Sequence, residues 1–221
     1  TVQQLLDEAL ATVLRQPIET TGCGRTDTGV HATQFFAHFD SESEIEIPKS
    51  EMSVNAVLPK DIAVKRIIPV HDEAHARFDA TLRSYEYHIH FEKDPFKLNR
   101  SWELRDKPDI ALMNEAAEMM MEYTDFSCFS KSNTQTFTNN CKIERAEWVE
   151  KDRGIVFHIS ADRFLRNMVR AVVGTLIAIG KKEMEPAAIK QIIESKNRSN
   201  AGTSVPACGL YLTEVKYPYL Q

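Results

Sequence analysis

Apolar residues recur at three- and four-residue intervals from the start of the chain. Val2, Leu5, Leu6, Ala9, Leu10, Val13 and Leu14 make one stripe that Pro17 closes, so the pattern predicts a surface helix lying on a core. The period then drops to two. Residues 33–40 alternate, with Phe35, Ala37 and Phe39 on one side, and 62–68 form a second strand-like run ending before Pro69. The clearest strand is 83–91, with Tyr85, Tyr87, Ile89 and Phe91 on one face and Ser84, Glu86, His88 and His90 on the other. The second half repeats the mixture: a helix over 110–123, strands over 142–149 and 155–160, and a long helix over 162–179. A short helix opened by Pro186 then carries Ile189, Ile192 and Ile193, and a last strand covers 210–217. Strands joined to strands with interspersed helices predict an α+β protein with a mainly antiparallel sheet. The Pro-containing, charged segment 92–108 is the predicted boundary between halves, and 41–50 and 127–140 read as exposed loops.

Composition narrows this. With 221 residues, 43% of them hydrophobic, the chain can bury one large core or two fused small ones. Its longest apolar window, 168–179, is interrupted by Arg170 and Gly174 and is too short to cross a bilayer. The opening residues lack the basic and apolar regions of a secretion signal, which predicts a cytoplasmic, membrane-free protein. Cys23, Cys128, Cys141 and Cys208 are far apart and form no CxxC pair, so they read as reduced and mostly buried thiols. A formal charge of -5 argues against a basic coat for non-specific nucleic-acid binding, while leaving room for a local basic cleft.

Chemistry concentrates in "GCGRTDTG". Its three glycines do not fit a GxGxxG fingerprint, because Asp27 stands where the third belongs, and no GK[ST] follows. The order suits a strand end that presents Arg25 and Asp27 on one face; the plainer alternative is an Asx-type turn with a surface ion pair. An arginine beside a carboxylate favours its charged form, which suits a nucleophile or a cation stabiliser. On the predicted long helix, Leu165, Met168, Val169, Val172, Val173 and Leu176 make an apolar face. Arg163, Arg166 and Arg170 gather opposite, either as a solvated face or as a stripe for phosphates or carboxylates. "HDEAH" has histidines at i and i+4, His71 and His75, but its glutamate sits at i+2 and the segment follows Pro69, and His88 with His90 lacks a third ligand in sequence. No metal is therefore assigned.

Read in order, "GRTDTGVHA" (24–32), "SVNAVLPKDIAV" (53–64), "HARFDATLRSYEYHI" (75–89), "DFSCF" (125–129), "FLRNMVRAVVGTLIAIG" (164–180) and "GLYLTEVKYP" (209–218) resemble blocks of the tRNA pseudouridine synthase A family. The resemblance spans nearly the whole chain. It implies a cofactor-free isomerase that detaches uracil from its ribose in the tRNA anticodon stem-loop, at positions 38, 39 and 40, and rejoins it through C5. It makes Asp27 the nucleophile, forming a transient adduct with either the base or the sugar, and Arg170 its ionic partner. Tyr85 stacks on the flipped base and takes part in proton movement, Leu210 closes the pocket, and Arg25 holds the base out of its stack. Arg77, Arg163 and Arg166 are further substrate contacts. The implied fold is two ferredoxin-like halves, 1–95 and 96–221, sharing a mainly antiparallel sheet with the active-site cleft between them, in a homodimer whose tRNA lies across both subunits. The family begins with a strand ahead of the first helix, so a first half starting at that helix is expected to lack one. Ser84 stands where a second basic residue is usual, and the loop 131–140 departs from the family pattern. A competing reading keeps the fold and binds tRNA without turnover.

Overall fold

The computed structural model describes residues 1–130 and 138–220. It is a mixed α and β protein with one six-stranded, mainly antiparallel sheet and one two-stranded sheet. The chain divides into two compact units, the first built from residues 1–24, 36–80 and those from Pro218 on, the second from Arg25–Phe35 and Thr81–Tyr217.

In the first unit the amphipathic opening stripe forms α1 (Val2–Leu14), capped by the Thr1 hydroxyl, which accepts from Gln4 N. Its partner is α2 (Ile47–Val57), and Ala9, Leu10, Val54 and Leu58 are buried where Leu6, Val13, Ile18 and Phe39 close around them. The predicted loop 41–50 is thus half helix: Pro48 sits in the first turn of α2, where no backbone donor is required. The predicted strand over 62–68 is absent. Its backbone finds side-chain partners instead, since Asn55 accepts from Val64 N and donates to Val64 O, both at 2.8 Å, and Glu51 accepts from Ile67 N at 2.7 Å. Strands β1 (Thr21–Gly22) and β3 (Ala37–His38) pair antiparallel.

The alternating run 33–40 is shared between two partners, which is why it is not one strand. Thr33 N donates to Leu212 O, whereas Phe36 O accepts from Cys23 N. Just before it, β2 (His31–Ala32) pairs parallel with β8 (Leu210–Lys216).

The second unit carries the six-stranded sheet. Its order is β2, β8, β4 (Leu82–His90), β7 (Gly154–Ala161) and β6 (Ile143–Lys151), with β5 (Trp102–Glu103) pairing alongside β4. Register aligns Tyr87 with Phe157 and Leu210, and Phe157 with Trp148, in one apolar row; Tyr85, Ile159, Ala146 and Leu212 form the next. Helices α3 (Ile110–Met120), α4 (Met168–Gly180) and α5 (Ala188–Ser195) supply Met113, Met120, Met168, Val172, Leu176 and Ile189 to the core that includes these rows. The alternation that predicted β4 holds over residues 86–89, where Tyr87 and Ile89 are buried and Glu86 and His88 half-exposed, but His90, expected on the polar face, is buried and bonds Ser101.

The arginine helix needs correcting. It begins at Met168, not at 162, because Asn167 takes a left-handed conformation (φ 65°) and Met168 N bonds back to Leu165 O at 3.0 Å. Arg163 and Arg166 precede the helix, Arg170 is its one charged residue, and ten of its residues are buried. It is a core helix rather than a two-faced one.

Residues 127–130 also depart from an exposed loop. Ser127–Phe129 form a short 3-10 turn with Cys128 and Phe129 fully buried; residues 131–137 lie outside the described residues. Asp125 starts this turn, accepting from Ser127 N and Oγ at 3.0 and 2.6 Å and pairing with Lys196 Nζ at 2.7 Å. Lys196, then the Ser127 hydroxyl, pull its carboxyl from 3.8 down to about 2. A depressed folded-state pKa means stability that is present above the unfolded value and lost as pH falls through the folded one. The melting temperature of Asp125→Asn should accordingly fall less steeply than that of wild type as pH drops from about 4 to about 2; parallel acid limbs in calorimetry would refute the assignment.

The thiols of Cys23, Cys128, Cys141 and Cys208 form no disulfide among the described residues, and the first three are buried. Burial pushes both Cys128 and Cys141 up to about 12. Among the described residues no helix is long and apolar enough to cross a membrane.

Candidate active site

After β1 the chain turns, and residues 25–27 adopt no regular structure. Val30 N donates to Asp27 O at 3.1 Å, closing a tight turn in which Gly29 takes φ +87°. Glycine is needed there for its backbone; at Gly24 an added Cβ would meet nothing within 4 Å. The turn leads directly into β2, whose pairing with β8 anchors it to the sheet.

A strand end with Arg25 and Asp27 on one face is not what forms. Arg25 is exposed and, among the described residues, makes no ion pair, whereas Asp27 is half-buried. Its partner comes from 143 residues away: Arg170 Nη1 donates to Asp27 Oδ2 at 3.0 Å, and Arg166 Nε stands 4.0 Å from Oδ1. The Arg170 side chain is only 20% exposed, against 55% for Arg166, so Arg170 is the better-shielded cation and Arg166 an adjustable one.

Arg170 is held at both ends. Its Nε donates to the Val205 carbonyl at 2.7 Å, and its own carbonyl accepts from Val205 N at 3.3 Å. Residues 201–205 run against α4 at close quarters. A Cβ on Gly174 would stand 1.9 Å from Thr203 O, and one on Gly202 would stand 2.7 Å from Thr175 N. These two glycines let the segment approach the helix, and Gly202 N donates to the buried Thr175 hydroxyl at 2.9 Å.

Tyr85 lies on β4 opposite Leu212, with its ring edge-on to Phe164 at 5.2 Å. Ala32 of β2 also pairs with Leu212, so Tyr85 and the strand that follows the Asp27 turn are two strand spacings apart, about 9.6 Å. Leu210 opens β8 opposite Tyr87 and is 6% exposed, packed in the core. Beside it the Tyr87 hydroxyl donates to Pro206 O at 2.7 Å, and burial raises the Tyr87 pKa. The structure thus gathers Asp27, Arg170 and Arg166, and seats Tyr85 and Leu210 on neighbouring strands. Arg163 makes no ion pair with Asp27, and Arg77 belongs to the first unit, its guanidinium 5.7 Å from the Phe78 ring centre.

The histidines have other partners. His71 packs edge-on to Tyr219 and His75 Nδ1 accepts from Arg77 N and Phe78 N, in a segment that is not helical. His88 bonds Glu86 at 2.9 Å and His90 bonds Ser101 at 3.0 Å. Among the described residues, no group of three or more His, Cys, Asp or Glu is placed to hold a metal ion.

Sequence reading missed Val205, which bonds Arg170, and Asn167, Arg198 and Ser204, which bond one another in the segment leading to Val205. The usable signal was the pair Gly174 and Gly202, small residues at positions where a helix and a chain segment meet.

A family model described as tRNA pseudouridine synthase matches residues 116–218. Relatives named tRNA pseudouridine synthase A extend the match to the whole chain. The protein of Parabacteroides distasonis is 48% identical over 99% of this chain and 87% of its own length, and that of Bacteroides fragilis is 47% identical over 98% and 87%. A more distant one, from an Exiguobacterium species, is 36% identical over 98% and 88%. The chain belongs to the tRNA pseudouridine synthase A family, a family of enzymes.

Proposed function

We propose that the protein isomerises uridine to pseudouridine in the anticodon stem-loop of tRNA, at positions 38, 39 and 40, with Asp27 as the nucleophile and no cofactor. The bond between N1 and the ribose C1′ breaks, the uracil turns, and a bond between C5 and C1′ forms; the C5 proton leaves and N1 is protonated. Asp27 forms its adduct with base or sugar and is released when the new bond closes. The observation that carries this reading is the 3.0 Å pair of Asp27 with Arg170, itself pinned to the Val205 carbonyl. A guanidinium fixed in that way keeps the carboxylate oriented before substrate arrives and offsets its charge in a desolvated complex.

The substrate uridine must leave its stack, which costs a few kcal/mol and calls for a receiving surface. Tyr85, edge-on to Phe164, offers an aromatic face for it, and in this reading Leu210 closes the pocket. Arg25, exposed and without an ion partner among the described residues, takes the displaced space in the loop, and Arg77, Arg163 and Arg166 are the further tRNA contacts of this reading. A homodimer, with tRNA across both subunits, and the two ferredoxin-like halves divided near residue 95 belong to the same reading. Supporting the latter, β2 and β4 from one side of that division share a sheet with β6, β7 and β8 from the other.

The test is release of tritium from tRNA labelled at uridine C5, since changing the attachment from N1 to C5 expels that hydrogen. The expected result is release stoichiometric with modified sites and unaffected by chelator. tRNA binding without release would replace this reading with that of a binding protein.

A further inference from the structure

We propose that Arg198 is a positioning residue for the reaction: it holds the segment 201–205 in the shape that keeps the Val205 carbonyl on Arg170 and, through Arg170, fixes Asp27. This rests on the isomerase reading above. Arg198 lies in a short 3-10 turn after α5 and, in the structure, bonds neither Asp27 nor Arg170. Its guanidinium instead satisfies three acceptors of one short stretch: Nη1 donates to Ala201 O and Gly202 O at 3.3 and 3.1 Å, and Nη2 donates to Ser204 Oγ at 3.1 Å. Ser204 Oγ also accepts from Asn167 Nδ2 at 2.5 Å, which ties the stretch to the left-handed residue that starts α4.

The next residue is Val205, which exchanges two hydrogen bonds with Arg170. The hydrogen bonds therefore run from Arg198 through the 201–205 backbone to Arg170 and from there to Asp27. A planar fork with several fixed donors suits this task, and lysine, with its single nitrogen, reproduces only part of it. Without Arg198, the carbonyls of Ala201 and Gly202 lose this donor together, and the Ser204 hydroxyl keeps only the bond from Asn167. The Val205 oxygen is then no longer held over Arg170 Nε, and the guanidinium is free to turn away from Asp27.

The experiment measures single-turnover pseudouridine formation and tRNA affinity for Arg198→Ala, Arg198→Lys, Arg170→Lys and the double variant Arg198→Ala/Arg170→Lys, with melting curves for each. Arg198→Ala is expected to slow the chemical step by about 10- to 100-fold while tRNA affinity stays within about threefold, and Arg198→Lys to recover part of the rate. In the Arg170→Lys background, Arg198→Ala should cost less than about twofold more, because residues acting through one another are not additive. A full, multiplicative loss in that background, or a loss that appears in affinity alone, would overturn the proposal. A second arm needs no turnover: the Arg170 Nε–H, followed by nitrogen-15 NMR of arginine-labelled protein, should be protected from exchange in wild type and lose that protection in Arg198→Ala. Protection that persists there refutes the positioning role, whereas an inactive wild type with the expected NMR change refutes the isomerase reading and leaves the positioning intact.

Discussion

Asp27→Asn is expected to reduce single-turnover pseudouridine formation by at least about a thousandfold while tRNA binding changes by no more than about threefold. The substitution keeps the shape of the side chain and one oxygen able to accept from Arg170 Nη1, whose bond to Asp27 is 3.0 Å long in the native protein. What it removes is the negative charge and, on the proposed mechanism, the attacking oxygen. The turn survives, because the bond from Val30 N is made to the backbone carbonyl of residue 27, and Gly29 keeps its positive φ. Losing an anion beside Arg170 and Arg166 does not weaken attraction for a polyanion, so affinity is the control that separates a chemical defect from a binding defect. Turnover within tenfold of wild type would remove Asp27 from the nucleophile's role.

Gly174→Ala is the substitution expected to cost most stability. In an exposed helix the change would be favourable by about 1 kcal/mol. Here the added Cβ stands 1.9 Å from Thr203 O and 3.0 Å from its carbonyl carbon, both backbone atoms, so the segment must move away from α4. Overpacking against backbone exceeds the propensity gain, for a net loss of about 2 to 3 kcal/mol, or a melting temperature lower by roughly 4 to 12 °C at this chain length. Because Thr203 is two residues from Val205, the displacement also disturbs the carbonyl that holds Arg170, and the surviving folded fraction should turn over more slowly. An unchanged melting temperature would show that the segment does not press on the helix as described.

Where sequence periodicity was long and undivided, it predicted structure well. The stripe beginning at Val2 is α1, the two-residue alternation around Tyr87 is β4, and the isoleucines after Pro186 mark the buried side of α5. It failed where backbone partners are supplied by something other than a neighbouring strand. The apolar run 62–68 alternates like a strand, yet Asn55 and Glu51 take up the backbone groups of Val64 and the Ile67 N–H. The stripe of three arginines assumed a helix continuing back to 162, and one left-handed residue, Asn167, ended it early. The site shows the same division. Motif resemblance singled out Asp27, Tyr85, Arg170 and Leu210, but spacing offered Arg25 as the partner of Asp27 because Arg25 is near in sequence.

The order of residues alone determined the helical and extended periods, the apolar content of the core, the α+β class and the motif blocks that mark the family, because each of these is a local or cumulative property of the chain. The resemblance implied Arg170 as the partner of Asp27; only the tertiary structure decided the 3.0 Å bond between them, that Arg25 stands apart, and that a segment near the end of the chain holds the arginine in place. Those outcomes depend on strand register, on one left-handed backbone angle and on the close approach that Gly174 and Gly202 allow, and none of the three has a period that a sequence can display.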